Sequence, residues 1–506
     1  MSTNPDSASP QGRLRRDALG APSIVFLVLA FVAPLTATVV VSPLAIALGN
    51  GGGAPAAFVF VGVVLLLFAI GYMQMSRYVV NAGAFYAYVT RAMGPLAGLV
   101  TAFVAIVGYN TFVIGAIATT GFFTQLVFQN VLHIDLPWQA WGAIAVALVF
   151  ILGRREVHIS ARLLGVALVL ESTALLALDI SVLVQDGYDF SAFDPDTVTS
   201  GSLGLGLLFA FTCFLGFEAT AIFSEEARNP TRTIPRATWA AIILIGVFYA
   251  LTTLALVSAV GVSGAGAAAG KDPGGFVFGV ANEYLGSFVT DVMQLLLIVS
   301  MFAALLAMHN SASRYLFAIG RARVLPAVLG RSHARSSAPH VASALQIGLA
   351  AAVVAGFAIA GADPITVIIP AWLGFGTLCI IALQFLAAVG VVVFFRRRAD
   401  RRWASTFVAP ALGAVGLGYA LVMAIDNFST IAGSDSAVIA KLPWLLLATI
   451  VVGVATSLWL RANRPDVYDE LGRDFLGAEP ADSAIATREP AQAPSARPVG
   501  AAELEA

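Results

Sequence analysis

The sequence predicts an all-α membrane protein with twelve transmembrane helices, and two features of its composition lead to that fold class. The chain has 506 residues, of which 59% are hydrophobic and only 11% charged, whereas an ordinary globular protein has about 25% charged residues. The apolar residues also fall in long runs, such as 24–48, 54–73, 95–126 and 289–308. A helix of this length crosses a ~30 Å hydrocarbon core, so the lipid bilayer is an expected partner of the chain.

Short polar links separate twelve apolar segments, which define a membrane domain over residues 21–461. The segments cover 21–48, 54–75, 95–126, 136–152, 161–185, 201–224, 238–262, 286–308, 340–361, 365–395, 406–425 and 442–460. The terminal stretches 1–20 and 462–506 are rich in Pro, Ala, Ser and charged residues. That composition is typical of disordered tails.

The arginines support both the number of segments and their orientation. The chain has 28 lysines and arginines, and its only lysines are Lys271 and Lys441. If the N-terminus is cytoplasmic and each segment crosses once, every arginine falls on the cytoplasmic side, as the positive-inside rule favours. One segment more or fewer would place the later arginine clusters outside. We therefore expect a multi-pass protein of the plasma (inner) membrane with both termini in the cytoplasm.

Two of the segments contain a helix-breaking residue near the middle. Segment 1, VFLVLAFVAPLTATVVVSPLAIAL, has Pro34, which lacks an N–H and clashes with the carbonyl of Ala30. Segment 6, LGLLFAFTCFLGFEATAIF, has Gly216. Because the two segments lie five apart, they enter the membrane from opposite sides, which is typical of an inverted repeat with helices 1 and 6 discontinuous. A packing kink at Pro34 alone is the alternative.

The two breaks indicate a binding site near the membrane midplane, since unwound backbone at that depth is tolerated where it lines a cavity. The N-terminus of a half-helix offers N–H groups and partial positive charge, which suit a carboxylate. Its C-terminus offers carbonyls, which suit an ammonium group. A pair of broken helices can therefore hold a zwitterion.

Three stretches resemble the amino acid–polyamine–organocation (APC) permeases. They are GFEATAIFSEEARNPTRTIPRA (216–237), NAGAFYAYVTRAMGPLAG (81–98) and HNSASRYLFAIGRARVLP (309–326). The resemblance extends over about residues 20–460. It implies a LeuT-type fold with alternating access to a central site: two inverted five-helix repeats, about 21–185 and 201–395, plus two C-terminal helices at about 406–460.

The resemblance and the breaks together indicate the substrate-binding residues. The first helix of the APC permeases usually breaks at a Gly-Ser-Gly type sequence, but here it reads VAPLTAT, in which Pro34 removes an N–H and Thr36 and Thr38 add hydroxyls. The sequence therefore leaves three substrate classes open: an amino acid, an amine or a polyamine. The expected binding residues are Ala33, Pro34, Leu35, Thr36, Thr38, Asn110, Phe211, Phe214, Gly216 and Glu218. For Asn110 and the two phenylalanines, helix packing is the alternative.

Two intramembrane glutamates are candidates for function, since charges there cost roughly 2.5–3.5 kcal/mol on insertion scales. Glu218 is expected to order the broken helix and couple binding to closure, with a structural carboxylate as the alternative. Glu171 lies in segment 5, where several proton-coupled APC permeases have a lysine that replaces a sodium ion. A carboxyl among apolar residues favours its neutral form, so Glu171 is the expected proton carrier; a protonated structural glutamate is the alternative. Asp179, Asp291 and Asp426 are expected near outer helix ends, in contact with water.

We expect a secondary active transporter rather than an enzyme. The stretch GLGLGLL lacks the G-x-x-x-x-G-K-[ST] pattern of a nucleotide-binding loop, and no histidines have HExxH spacing. The chain is therefore expected to need no cofactor, metal or nucleic acid. Symport of a small amino acid, amine or polyamine with a proton is the favoured mechanism. Exchange is the alternative, and a channel or a membrane sensor is less favoured.

Overall fold

The structure is a computed structural model, and it describes residues 20–75, 78, 84–155, 161–218, 220, 227–332, 339–398, 402–431 and 437–473. Helices form the regular structure of this part of the chain. By length and composition, nine helical runs within it can cross a membrane, and two shorter apolar helices, Trp138–Gly153 and Leu203–Cys213, accompany them. The predicted all-helical membrane architecture is therefore confirmed.

The helices are numbered in chain order. They are α1 (Ala21–Val32), α2 (34–50), α3 (Ala54–Met75), α4 (Ala84–Met93), α5 (Pro95–Val127), α6 (Trp138–Arg155), α7 (Ala161–Gln185), α8 (Pro195–Val198), α9 (Leu203–Cys213), α10 (Pro230–Val260), α11 (Ala265–Lys271), α12 (Phe276–Leu285), α13 (Ser287–Arg321), α14 (His340–Ile359), α15 (Ile369–Arg396), α16 (Ala409–Ile431), α17 (Ala437–Ala440), α18 (Leu442–Asn463) and α19 (Pro465–Arg473). Within α2, π-helical turns alternate with α-helical ones, and further π-helical turns flank α5, α15 and α16 at Phe128–Leu132, Pro364–Ile368 and Trp403–Val408. Short 3₁₀ turns lie at Gly51–Gly53, Phe190–Phe193 and Ala327–Gly330.

Glycines divide the apolar run from Pro34 to Met75. Gly49 has non-helical backbone angles (φ −93°, ψ −131°), and Gly51 has φ 57°, which glycine adopts without steric cost. Regular α-helix resumes at Ala54. α2 and α3 are thus separate helices, and they divide where the sequence predicts, between residues 48 and 54.

α5 and α15 form the centre of the bundle. Both are buried along most of their length, and they pack along each other. α6, α13 and α18 contact α5 from other sides, while α3 packs against α10 and α16. The outer helices expose large apolar side chains, including Val184, Ile359 and Val415, which is favourable where the neighbour is an equally apolar lipid tail.

Two short helices, α11 and α12, occupy the link between α10 and α13, where no helix was predicted. α12 buries one face, with Phe276, Val277 and Ala281 inside, because it packs against α7 and α13. The link between α10 and α13 therefore packs against one end of the bundle and is not a purely polar loop.

The predicted disordered tail from residue 462 is wrong for residues 465–473. These residues form α19, whose Val467 and Leu471 pack with Leu99 and Leu460 in a small apolar cluster. Two apolar residues four apart on one helix face are enough to dock a short helix, although the overall composition of the tail is polar. Residues 1–19 and 474–506, the rest of both predicted tails, lie outside the described residues.

Candidate functional site

The first break lies at Ala33, between α1 and α2. Ala33 has a left-handed backbone (φ 49°, ψ 76°), which costs a residue with a Cβ roughly 1–2 kcal/mol. Pro34 explains the position of the break, because it disfavours the right-handed helical region for the residue before it. The N–H of Ala33 closes α1 through the carbonyl of Leu29 at 3.0 Å. At the start of α2, the N–H groups of Leu35 and Thr36 have no carbonyl partner within their own helix.

The second break follows α9, which ends at Cys213. Turns replace the helix from Phe214 to Glu218, and Gly216 has φ 112°, which residues with a Cβ rarely adopt. The last turn of α9 is narrower than an α-helical turn, because the N–H of Phe214 bonds to the carbonyl of Phe211, three residues earlier, at 3.1 Å. The carbonyls of this turn have the partial negative charge of a helix C-terminus. Residues 219 and 221–224, which belong to the second half of the predicted segment 201–224, lie outside the described residues, as do residues 225 and 226.

A small cavity of about 50 Å³ lies between the two breaks. Its lining comes from α1, α2, α5, α13, α15 and the end of α9: Val32, Thr36, Ala37, Val40, Val41, Ala116, Thr119, Thr120, Thr212, Leu215, Met301, Ala304, Met308 and Leu373. The volume suits a few water molecules and is far below the ~300–1,000 Å³ of an ordinary ligand pocket. The walls must therefore separate before a substrate fits. Apart from four threonines, the lining is apolar, and it includes no charged side chain.

One of the four threonines has an uncommitted hydroxyl. Thr119 and Thr120 each donate to a backbone carbonyl of their own helix at 2.8 Å. Thr212 shares a 2.6 Å hydrogen bond with Thr377 of α15. The hydroxyl of Thr36 is buried and has no hydrogen-bond partner among the described residues. Because Thr36 lies at the start of α2 and lines the cavity, its hydroxyl gives the cavity a polar group at this helix end.

Glu218 ties the second break to the rest of the bundle. Its side chain is fully buried. The hydroxyl of Tyr109 donates to Oε1 of Glu218 at 3.0 Å, and the N–H of Gly216 donates to Oε2 at 3.0 Å. Tyr109 also stacks on Tyr315 of α13, with ring centroids 5.1 Å apart. The carboxyl therefore joins the unwound end of α9 to α5 and, through Tyr109, to α13.

Glu171 lies behind the cavity wall. It is 3% exposed on α7 and adjoins Ser300 of α13. Neither the Ser300 hydroxyl nor Oε2 of Glu171 has a hydrogen-bond partner among the described residues. Ser300 directly precedes Met301, which lines the cavity. No lysine or arginine among the described residues pairs with this carboxyl. The arrangement places a buried titratable group next to a helix that forms the cavity wall.

Of the predicted binding residues, Thr36 alone lines the cavity. Asn110 donates through Nδ2 to a carbonyl of its own helix at 2.7 Å, and the ring of Phe214 lies against Gly62 and Gly246, between α3 and α10. The remaining predicted residues are buried around the two breaks: Ala33, Pro34, Leu35, Thr38, Phe211, Gly216 and Glu218. A direct substrate contact by any of these remains a prediction.

Asp179 does not lie in water near a helix end, so that expectation is wrong. It is 4% exposed, and its Oδ2 accepts a 2.8 Å hydrogen bond from Thr252 of α10. The hydroxyl of Tyr188, in the loop after α7, donates to the Asp179 carbonyl at 3.0 Å. Packing of α10 and this loop over the end of α7 buries the side chain. Asp291 and Asp426 are exposed, and their contact with water at the outer helix ends stays a prediction.

Sequence reasoning missed most of the cavity lining. The adjacent Thr119 and Thr120 in the middle of an apolar segment were a usable signal, since buried hydroxyls in membrane helices mark helix contacts or sites. Met301, Ala304 and Met308 resemble any other core residues of a helix, so nothing in the sequence distinguishes them.

Comparisons with known proteins add to this geometry. Residues 19–455 match the family model described as Amino acid permease. The chain is similar to the branched-chain amino acid permease BcaP of Lactococcus lactis subsp. cremoris (strain MG1363), at 28% identity over 290 residues, 53% of this chain and 61% of that protein. It is also similar to BcaP of Bacillus subtilis (strain 168), at 22% identity over 312 residues, 57% of this chain and 64% of that protein. The chain thus aligns with less than two thirds of the length of either relative.

Among solved structures, the chain resembles a crystal structure of MhsT in complex with L-phenylalanine. The TM-score is 0.56 at 14% sequence identity, and the match covers 83% of this chain and 100% of that chain. At this identity the likeness concerns the helical fold, which is LeuT-like, and not the ligand.

Proposed function

The chain belongs to the amino acid permease family, as the resemblance to the APC permeases indicated, and on that premise we propose that it moves a small apolar amino acid across the plasma membrane by alternating access, coupled to a proton. Substrate binding takes place in the cavity between the two breaks. The substrate carboxylate meets the start of α2, and the substrate ammonium meets the carbonyls at the ends of α1 and α9.

The observation that carries this proposal is the composition of the cavity lining. Opposed helix ends supply complementary partial charges for a zwitterion. The remaining walls are Val, Ala, Leu and Met side chains together with Thr119 and Thr120, whose hydroxyls bond to their own helix. A diamine or polyamine needs a second anionic partner for its distal ammonium group, because an unpaired buried charge is very costly. No acid is among the lining residues. The lining therefore favours an amino acid with an apolar side chain over an amine.

The similar proteins support the same substrate class. Both relatives named above are branched-chain amino acid permeases. A branched aliphatic side chain fits walls made of Val40, Leu215, Met301 and Leu373, where apolar contact is the main source of affinity. We therefore propose leucine, isoleucine and valine as the first substrates to test.

The proposed architecture has twelve transmembrane helices with both termini in the cytoplasm. α1 and α2 form a discontinuous helix 1, and α9 with the segment after it forms a discontinuous helix 6. The inverted repeats then cover about 21–185 and 201–395, followed by two helices at about 406–460. The interruptions at Ala33 and at 214–218 support this arrangement, because broken helices in corresponding positions of two repeats surround the substrate in such transporters.

Glu171 is the proposed proton carrier, and Glu218 is the proposed link between substrate binding and closure. Burial of Glu171 beside Ser300, one residue from the cavity wall, supports the first role. The hydrogen bonds of Glu218 to Tyr109 and Gly216 support the second. A bound substrate that draws the cavity walls together would move the second break. That movement would change the hydrogen bonds that Glu218 makes with Tyr109 and Gly216.

Uptake into proteoliposomes tests the proposal. Purified protein is given labelled leucine, isoleucine, valine, lysine or putrescine under an inward pH gradient and, separately, an inward sodium gradient. We expect saturable uptake of the three branched-chain amino acids with the pH gradient alone. Uptake of putrescine in preference to leucine would refute the substrate assignment, and uptake that needs sodium would refute proton coupling. Leucine exchange without any net driven uptake would replace symport with the exchange mechanism.

A further inference from the structure

From the middle of α7 toward its C-terminus lie buried polar atoms that have no hydrogen-bond partner among the described residues. The atoms are Oε2 of Glu171, the hydroxyl of Ser300, the hydroxyl of Tyr249, the hydroxyl of Thr253 and Oδ1 of Asp179. They come from α7 and from α10 and α13, each of which packs against α7. Buried polar groups are normally satisfied, and an unpaired one costs about 1–3 kcal/mol. Ordered water is the usual partner of such groups. These five atoms, together called the seam below, are therefore suited to bind a chain of water molecules.

The two carboxyl groups stand at the ends of the seam. Glu171 and Asp179 lie eight residues apart on the buried face of α7, which corresponds to a rise of about 12 Å along the helix. Tyr249 of α10 has a buried hydroxyl that interacts electrostatically with Cys213 of α9 and with Glu171. Thr252, three residues further along α10, bonds to Asp179 at 2.8 Å. The seam therefore runs from Glu171 past Tyr249 to Asp179.

Asp179 is also the point where the seam approaches the surface. The half-buried Tyr188 lies over the backbone of Asp179, with its hydroxyl on the Asp179 carbonyl. The next residue, Asp189, is exposed. The buried Asp179 is therefore linked, through its backbone carbonyl and the half-buried Tyr188, to the exposed loop after α7.

The charged and titratable surroundings of the two carboxyls are sparse. Tyr188 faces Asp179, while Tyr249 faces both Glu171 and the buried thiol of Cys213 on α9. α12 contributes Tyr284, which pairs with Asp186 further outward, and the exposed Glu283, while α13 contributes the exposed Asp291 at this end. α1 and α2 contain no titratable side chain. No lysine or arginine of the described residues pairs with either carboxyl, so neither is held by a permanent ion pair.

We propose that Asp179 is the first proton-binding group of a water-filled proton path that leads from the outer surface through Tyr249 to Glu171. A proton from the outer solution binds the Asp179 carboxylate. It then passes along water, and through the Tyr249 hydroxyl, which gives its own proton onward as it receives one, to the Glu171 carboxylate. Asp179 is left ionised and Glu171 neutral, with no change in Tyr249. Intramembrane acids that lack a fixed partner mark such relays in membrane proteins. The inference rests on the proposed proton coupling and adds the route.

The experiment compares two assays on reconstituted Asp179→Asn and Tyr249→Phe proteins. One assay is leucine uptake driven by a pH gradient, over a range of outer pH values, and the other is leucine counterflow at equal pH. We expect both variants to lose about tenfold or more of the pH-driven rate, as a missing proton-transfer group does, and to retain counterflow within about twofold. Asp291→Asn, at an exposed acid near the same end of the bundle, serves as the matched control and should behave as wild type in both assays.

Three outcomes overturn the inference, and they differ from one another. Variants with wild-type pH-driven uptake show that the route does not pass through these residues. A matched loss of pH-driven uptake and counterflow shows that the residues have a structural role instead. If Asp179→Asn does not fold, the same comparison with Tyr249→Phe tests the route. A wild-type protein that takes up leucine with no response to the pH gradient refutes the proposed proton coupling itself, and the route with it.

Discussion

The hydroxyl of Tyr109 on α5 donates a 3.0 Å hydrogen bond to Oε1 of Glu218, a residue 109 positions later in the chain. The second oxygen of the same carboxyl accepts the N–H of Gly216 at 3.0 Å. Both oxygens are thus occupied, one by a neighbouring helix and one by the unwound backbone. Any movement of the second break must either break these contacts or move α5 with it, which is the basis for the proposed role of Glu218 in closure.

Glu218→Gln should lower the initial rate of leucine uptake about tenfold or more without preventing folding. Glutamine has one oxygen and one NH₂ group, so it keeps both contacts only if its oxygen accepts from Gly216 and its NH₂ donates to the Tyr109 hydroxyl, which must then reverse its direction. In the other amide orientation the NH₂ group faces the N–H of Gly216, and the unsatisfied buried groups cost about 1–3 kcal/mol. Uptake normalised to the amount of protein in the membrane measures the effect. The exposed Glu283→Gln is the matched control, and normal expression with unchanged transport in Glu218→Gln would show that the carboxyl is dispensable.

Thr36→Val should raise the KM for leucine about fivefold, because it removes the one uncommitted hydroxyl of the cavity while keeping the side-chain shape. That figure corresponds to about 1 kcal/mol, the usual net value of one hydrogen bond. Thr36→Ser retains the hydroxyl and should keep a KM close to wild type. Thr120→Val changes a hydroxyl already bonded to its own helix and should have a smaller effect. If Thr36→Val and Thr36→Ser have the same KM, the hydroxyl does not contact the substrate.

Gly216→Ala should destabilise the purified protein by about 1–2 kcal/mol, because φ at this position is 112° and a Cβ makes positive φ unfavourable. Thermal unfolding in detergent, followed by the loss of monodisperse protein, measures the change. Gly348→Ala is the control: Gly348 lies inside α14, and an added Cβ would have no atom within 4 Å. That substitution should be neutral or stabilising, since alanine favours helix over glycine. Equal stability of the two variants would mean that the backbone at the second break relaxes freely.

Glu171→Gln should abolish leucine uptake driven by a pH gradient while leaving counterflow within about twofold of wild type. Glutamine has nearly the same volume and cannot take up a proton, so it mimics the permanently neutral carboxyl. Counterflow exchanges substrate for substrate and needs no net proton movement. The comparison of the two assays in the same vesicles is the measurement. A Glu171→Gln protein with full pH-driven uptake refutes the role of this residue as proton carrier.

The architecture follows from the sequence to the extent that hydropathy and helix-breaking residues determine it. The boundary between α2 and α3 lies where the glycines of 49–53 predict it, and the helix ends before Pro34 for the steric reason that holds for any X-Pro pair. α12 and α19 were not predicted, because each buries one narrow apolar face by docking on neighbouring helices. That docking is a tertiary effect that local composition does not contain.

The candidate site follows from the sequence less completely. A break in a helix is a local property, so Pro34 and Gly216 could be recognised from their neighbours in the chain. The walls of the cavity come from six helices, and which faces of those helices meet depends on packing. The same limit explains Asp179, which lies near a helix end in sequence but is covered by α10 and by Tyr188 in space. The contact between Tyr109 and Glu218 is equally a product of packing.

Equilibrium binding of labelled leucine to purified protein tests the central claim, that substrate binds between the two breaks. Ala304→Leu adds three carbon atoms to the wall of a cavity of about 50 Å³, and overpacking of this kind costs about 1–3 kcal/mol. Ala355→Leu makes the same change beside a separate cavity of about 480 Å³ between α6 and α14, where there is room for it. We predict that Ala355→Leu binds leucine as wild type does and that folded Ala304→Leu binds about tenfold more weakly or not at all. Wild-type affinity in folded Ala304→Leu would contradict the location of the site.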